Sequence, residues 1–224
     1  PECLIFVIKK FLEFLRILDG RNSLVTTAKR IVHQYLVKLG QIHGESLLNH
    51  FNDLLGVVRT LSAEPITTQS DNIFLMEFLT AITNAKKDFE QQSGFIRGIV
   101  ANSIAELHSN EVKEVLSSSE VFVRFVASQC NTDLLQKIFT AVNTIHKVAT
   151  KSKIPKIDDE LQKGNFYYPN TQRKRYPIEG TLREILPIIF NICLRLSSLY
   201  HPDAKNKFPE ALKPALGLEL HMVL

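Results

Sequence analysis

The chain has 224 residues, of which 45% are hydrophobic and 22% charged, and a net charge of +4. That length can bury a continuous core. Its longest uninterrupted apolar runs, Cys3 to Ile8 and Ile185 to Phe190, fall well short of the roughly 20 residues that span a bilayer. Only nine Gly and nine Pro occur, which favours long helices over many short strands.

No secretory leader with a small-residue cleavage site is expected. The sequence opens at Pro1 within an apolar stretch and reads as a piece of a longer protein. Cys3, Cys130 and Cys193 are few, odd in number and unclustered, which argues against a disulfide framework or a zinc site. They read as small apolar core residues. No Asn-x-Ser/Thr acceptor occurs, and both facts suit a reducing compartment.

Asp19-Gly20 followed by Asn22-Ser23 reads as a stop and then an N-cap. Over 24–39, Val25, Ala28, Ile31, Val32, Tyr35, Leu36 and Leu39 recur at helical spacing. A break is expected at Gly40 to Ser46. A second striped helix over 46–61 carries Leu47, Leu48, Phe51, Leu54, Leu55, Val58 and Leu61. Pro65 ends it, and Thr68 or Ser70 can cap the next helix.

Residues 72–82 are apolar nearly all round, so this helix is expected between neighbours in a stack. After a break at Lys86 to Asp88, an apolar face runs from Phe95 to Leu107. Gly94 and Gly98 within it form a small-x-x-x-small pair that suits close approach of two helices. Ser117 to Ser119 caps a short helix through Phe125. Asn131 or Thr132 caps a helix over 132–149, with Leu134, Leu135, Ile138, Phe139, Val142, Ile145 and Ala149 on its stripe. Helices over 179–200 and 208–222 close the chain, and Pro187 is expected to bend the first unless absorbed locally.

Short connections make neighbouring helices antiparallel. Pairs fall at 24–61, 68–108, 112–150 and 179–222, a recurrence of about 40 to 45 residues that fits HEAT-type hairpins. The expected fold is therefore an all-α, HEAT-type α-solenoid of antiparallel helix pairs, in one continuous segment. Residues 1–150 form helical repeats, 151–178 a basic aromatic linker, and 179–224 a further pair. A closed helical bundle is the alternative.

The linker stands apart. Residues 151–177 hold seven bases and three acids, which accounts for the whole net charge. Pro155, Gly164, Pro169 and Pro177 interrupt it, and Phe166, Tyr167, Tyr168 and Tyr176 punctuate it. Loops of this length inside a domain are usually functional or disordered.

No catalytic constellation is present. There is no Gly-x-Ser-x-Gly elbow, no phosphate-cradling P-loop and no His-Glu-x-x-His zinc motif. His43 and His50 read as surface or cap residues. Asp158-Asp159-Glu160 reads as a solvated acidic run and not as a paired-carboxylate site. No catalytic residue, metal or cofactor is expected. The candidate nucleic-acid contacts are Arg173, Lys174 and Arg175, whose charges and neighbouring tyrosines suit phosphates and stacked bases. Lys86, Lys87 and Arg97 are weaker candidates. A solvated loop without a partner, an acidic protein surface and a targeting role are the alternatives for this segment.

The run from Lys29 to Leu61, KRIVHQYLVKLGQIHGESLLNHFNDLLGVVRTL, resembles a repeat of the exportin-5 family of nuclear export receptors, in the importin-β (karyopherin) superfamily. Residues 71–126, from DNIFLMEFLTAITNAKK onward, are similar to the repeats that follow. Residues 176–219, beginning YPIEGTLREILPIIFNICLRLSSLYHPDAK, are similar to a later helix pair. The linker, with its Pro, Asp-Asp-Glu and Gly-Asn-Phe, resembles the connection before that pair, whereas Pro187 departs from the pattern.

The resemblance implies a HEAT solenoid that binds Ran in its GTP form together with double-stranded or hairpin RNA such as precursor microRNA. Contact with nucleoporins, no membrane partner, and shuttling between nucleus and cytoplasm would accompany it. The nucleotide belongs to Ran, so no enzyme activity is implied. Another importin-β-family receptor for protein cargo, or a HEAT scaffold that meets only proteins, is the alternative.

Overall fold

The structure is a computed structural model that describes residues 2–18, 23–127 and 132–205. Its helices are α1 (Glu2–Ile17), α2 (Ser23–Leu48), α3 (Phe51–Ser62), α4 (Gln69–Thr83), α5 (Phe89–Leu107), α6 (Asn110–Val115), α7 (Ser119–Ala127), α8 (Thr132–Lys151), α9 (Asp158–Lys163), α10 (Glu179–Ser198) and α11 (Pro202–Lys205). Among the described residues the only extended pairing is a single bridge, Tyr167 to Lys174. The fold is all-α and of the HEAT type. None of the described helices is long and apolar enough to cross a membrane. The expected helix over 208–222, the stop at Asp19-Gly20, Asn22, Cys130 and the Asn131 cap lie outside the described residues.

The chain divides into two compact units. The first comprises residues 1–101 and 143–181, the second residues 102–142 and 182–224.

Like packs on like in the first unit. Lys29 on α2 bonds Asp71 on α4, the ring of His33 stacks on Phe74, and Gly44 lies against Ala85. On the second row, Phe51 of α3 meets Phe95 of α5, and Leu55 meets Gly98. Contacts that advance together along both chains mean parallel helices. The partners lie 41 to 44 positions further on, so the α2–α3 hairpin and the α4–α5 hairpin are successive repeats stacked in register, with the period the sequence suggests.

Glu77 and Asn84 of α4 reach the far end of α8 in the same parallel sense, at Lys147 and Lys151. Helix α4 is thus flanked by α2 and α8, which is why it is apolar on most sides. Leu75, Phe78, Leu79 and Ile82 are all fully buried, each worth about 1.5–3 kcal/mol of burial. Thr68 caps α4 through a reciprocal box with Asp71.

The break expected over Gly40 to Ser46 is a kink: two helical stretches of α2 meet at His43, whose backbone is non-helical (φ −112°, ψ 19°), and the second runs to Leu48. The α2 glycines serve close approach: a Cβ on Gly40 would sit 3.1 Å from the Phe78 carbonyl, and one on Gly44 2.7 Å from the Ala85 Cβ. The expected pair Gly94 and Gly98 does not play that part. Gly94 has open space around it, and a Cβ on Gly98 would make an ordinary 3.7 Å contact.

The buried face of α2 is also rotated from the expected stripe. Val32 and Leu36 are buried, but Ile31 and Tyr35 are 45% and 56% exposed. Lys29 and His33 are buried in their place. Asp71 makes this possible. Its Oδ2 accepts from the Lys29 ammonium at 3.1 Å and from the Thr68 backbone N–H and hydroxyl at 2.9 and 2.8 Å. Burial pushes the Asp71 carboxyl up, but these hydrogen bonds and the Lys29 charge outweigh it and hold it below the ordinary range. Burial, with Lys29 adding to it, lowers the His33 pKa despite Asp71.

In the second unit, Leu107, Val112, Leu116, Phe122, Ile138 and Ile185 form part of the core. Ser109 caps α6 and Ser118 caps α7 through their hydroxyls. Helix α10 continues through Pro187. Its Arg195 closes the α6–α7 turn, donating to the Leu116 carbonyl at 3.0 Å, the Ser119 hydroxyl at 3.0 Å and the Ser117 carbonyl at 3.4 Å. A cation there satisfies carbonyls that the end of α6 leaves unpaired. Cys3 and Cys193 are exposed, contrary to the core reading. They lie near exposed Phe6 on α1 and beside exposed Leu194 on α10, on helices that carry apolar residues on more than one face.

Candidate nucleic-acid interface

Five of the six candidate basic residues gather around one corner, the connection between α4 and α5. Residues 151–178 fold back onto that corner and are held there by both backbone and side-chain bonds. The Asn84 amide donates to the Lys151 carbonyl at 2.9 Å and its oxygen accepts from the Lys153 N–H at 2.8 Å. The fully buried Gln92 donates to the Lys153 carbonyl at 2.8 Å. The Phe89 N–H donates to the Gly164 carbonyl at 2.9 Å. Phe89, Leu161 and Phe166 form a small buried core, with the two phenyl rings edge to face at 5.9 Å.

Short helix α9 begins with Asp158, Asp159 and Glu160, where carboxylates favour a helix N-terminus. Each is also engaged. Asp158 accepts from the Tyr167 hydroxyl at 2.6 Å, which raises the tyrosine's pKa. Asp159 pairs with Lys163 at 2.7 Å, and Glu160 pairs with Lys87 at 2.8 Å.

A tight hairpin follows. Arg175 N–H donates to the Phe166 carbonyl at 2.7 Å, and Tyr168 N–H to the Arg173 carbonyl at 3.0 Å. Asn170 supplies the turn with a left-handed φ of 57°. Between α9 and this hairpin lies an open cleft of about 800 Å³ lined by Tyr167, Tyr168, Gln162, Asn165 and Asn170.

The geometry sorts the candidate cations. Arg175 is three-quarters buried, sits 3.6 Å above the Phe89 ring and pairs with Glu90 at 3.1 Å. Lys87 pairs with Glu160 and, at 3.7 Å, with Glu45, which raises its pKa. These two hold the fold. Arg173 is 73% exposed, lies over Tyr168 at 5.2 Å and is 3.8 Å from Glu179. Lys174 and Lys86 make no ion pair among the described residues, and Lys174 is exposed. Arg97 lies apart from the corner, exposed on α5.

Sequence reasoning did not single out Lys147, Lys151 and Lys153. The first two grip Glu77 at 3.1 and 2.7 Å. Burial raises the Glu77 pKa, but the bonds from Lys151 and Lys147 prevail and lower it. Their i,i+4 spacing on one face of α8 was a legible signal; the carboxylate that organises them, 70 positions away, was not.

The chain has relatives of known kind. The Exportin-5 family model matches residues 1–221. Exportin-5 of Dictyostelium discoideum is 22% identical, over 99% of this chain and 22% of that protein. Exportin-5 of Homo sapiens is 23% identical and that of Mus musculus 24%, each over 88% of this chain and 18% of the relative. The chain thus spans about a fifth of the length of these relatives. With the family model covering nearly every residue of the stacked helical hairpins, this chain belongs to the Exportin-5 family.

Proposed function

We propose that this chain is a segment of a nuclear export receptor that shuttles between nucleus and cytoplasm, embracing cargo together with Ran in its GTP form. The cargo in this reading is double-stranded or hairpin RNA, and no catalytic step is involved. Family membership over residues 1–221 is the observation that carries it. The physics agrees with a duplex partner. Duplex RNA is recognised through phosphates and 2′-hydroxyls, not base edges, and a rigid helical stack bearing scattered cations follows such a backbone without sequence preference. Lys86, Arg173 and Lys174 are the contact residues among the six candidates, because Lys87 faces two carboxylates, Glu160 and Glu45, and Arg175 is three-quarters buried between Phe89 and Glu90. Arg97 is a peripheral one.

The test is binding of a fluorescent RNA hairpin to this chain across a salt series, with and without Ran·GTP. Binding that falls steeply with salt and is strengthened by Ran·GTP supports the reading. Absence of binding under every condition overturns it for this chain. A protein-cargo receptor or scaffold is the second reading, favoured by the absence of any net charge outside residues 151–177.

A further inference from the structure

A groove of about 490 Å³ runs between α2, α4 and the end of α8. Glu77, Asn84, Thr150, Lys151 and Lys153 line it, with small apolar Ala81 and Ala85 between them. Lys147 adds its ammonium to the same Glu77 carboxylate, and Lys86 stands two residues beyond Asn84. Two lysines, Lys151 and Lys153, line the groove against one carboxylate, with Lys147 and Lys86 beside it.

We propose that this groove is a contact site for the phosphodiester backbone of a nucleic acid, with Lys151 and Lys153 as the direct contacts, Lys147 and Lys86 flanking them, and Glu77, Asn84 and Gln92 as positioning residues. The inference rests on the nucleic-acid reading above and assigns it a place that charge in the sequence does not.

Three observations carry it. First, the cations are pre-set. Glu77 is 7% exposed and fixes two ammonium groups. Asn84 and Gln92 pin the backbone of Lys153 on its N–H and its carbonyl, leaving only its side chain to project. Pre-organised donors lose less freedom on binding. Second, Lys147 and Lys151 lie one turn apart on one face of α8 and share the single Glu77 carboxylate, so the pair retains one unit of positive charge. Third, the groove has no large apolar or aromatic anchor. Protein–protein contacts are centred on such anchors and are depleted in lysine, whereas lysine is an ordinary phosphate ligand. This favours a polyanionic backbone over an acidic protein.

The experiment compares two double variants of this chain, each losing two charges. Lys151→Gln with Lys153→Gln alters the two lysines that line the groove, while Lys147 still pairs with Glu77. Lys9→Gln with Lys113→Gln alters two exposed lysines elsewhere. Each is titrated with a short blunt RNA duplex over a salt series, and with poly-glutamate as competitor. The groove variant should show a log–log salt slope shallower by about one per lysine removed, with the control variant unchanged. Equal changes in both variants, or no change in either, overturn the groove as the site. Displacement of the duplex by poly-glutamate at equal charge overturns the phosphate assignment in favour of an acidic protein. No binding of the duplex by the unaltered chain overturns the nucleic-acid reading itself.

Discussion

Substituting Gly164 with alanine tests how residues 151–178 are held. Gly164 has an ordinary backbone angle, so the expected cost is one of space. A Cβ there would lie 2.3 Å from the Lys87 carbonyl oxygen, 2.7 Å from the Phe166 ring and 2.9 Å from the Glu160 carbonyl oxygen. Two of these are backbone atoms that cannot rotate away. Relief requires α9 to lift from the α4–α5 corner, which breaks the 2.9 Å bond from Phe89 N–H to the Gly164 carbonyl. Overpacking costs about 1–3 kcal/mol and the lost hydrogen bond about 0.5–1.5 kcal/mol. Gly164→Ala should therefore destabilise by about 1.5–4.5 kcal/mol in urea unfolding. It should also open residues 151–178 to limited proteolysis at protease concentrations that leave the native chain intact. A stability change below about 0.5 kcal/mol, the range of neutral surface substitutions, with unaltered cleavage would refute the argument that this glycine seats the segment.

Four further outcomes follow from the packing. Gly44→Ala should destabilise, because its Cβ meets the Ala85 Cβ at 2.7 Å and overpacking of about 1–3 kcal/mol exceeds the gain of about 1 kcal/mol in helix propensity. Gly94→Ala has open space and should stabilise by about 0.5–1 kcal/mol; thermal unfolding of the pair reads the difference in sign. Burial holds the His33 pKa below its ordinary value of 6.5. The neutral form therefore contributes stability that is present above pH 6.5 and is lost as pH falls below it toward the folded-state value. His33→Phe should flatten the stability–pH curve in that window while leaving the acid limb governed by Asp71. Arg195→Ala should cost about 1.5–3 kcal/mol and reduce amide protection around residues 117–123, and Arg195→Lys should not restore it, since one ammonium cannot reproduce three forked contacts.

Much of the architecture was legible because it is local. The stripes of α3 and α5, the all-round apolar α4, the Thr68 cap and the repeat near 41 to 44 residues all follow from side-chain periodicity and capping chemistry. The sequence by itself determined an all-α chain of stacked hairpins, and it placed the charge excess in residues 151–177.

Tertiary structure decided which charges are paired and with what. Gly40 and Gly44 flank the kink at His43 that the sequence suggests, but their second part, admitting Phe78 and Ala85, shows only once the neighbouring helix is in place. Lys29 and His33 fall off the apolar stripe of the sequence yet are buried, because the Asp71 that allows it lies one repeat away. Arg175 and Lys87 read as free cations, and only the fold brings Glu90 and Glu160 to neutralise them. The groove at Lys151 and Lys153 exists because Asn84 and Gln92 reach across more than 60 residues. Helical periodicity reports which face is apolar, but electrostatic pairing depends on distances across the stack, and those no local pattern encodes.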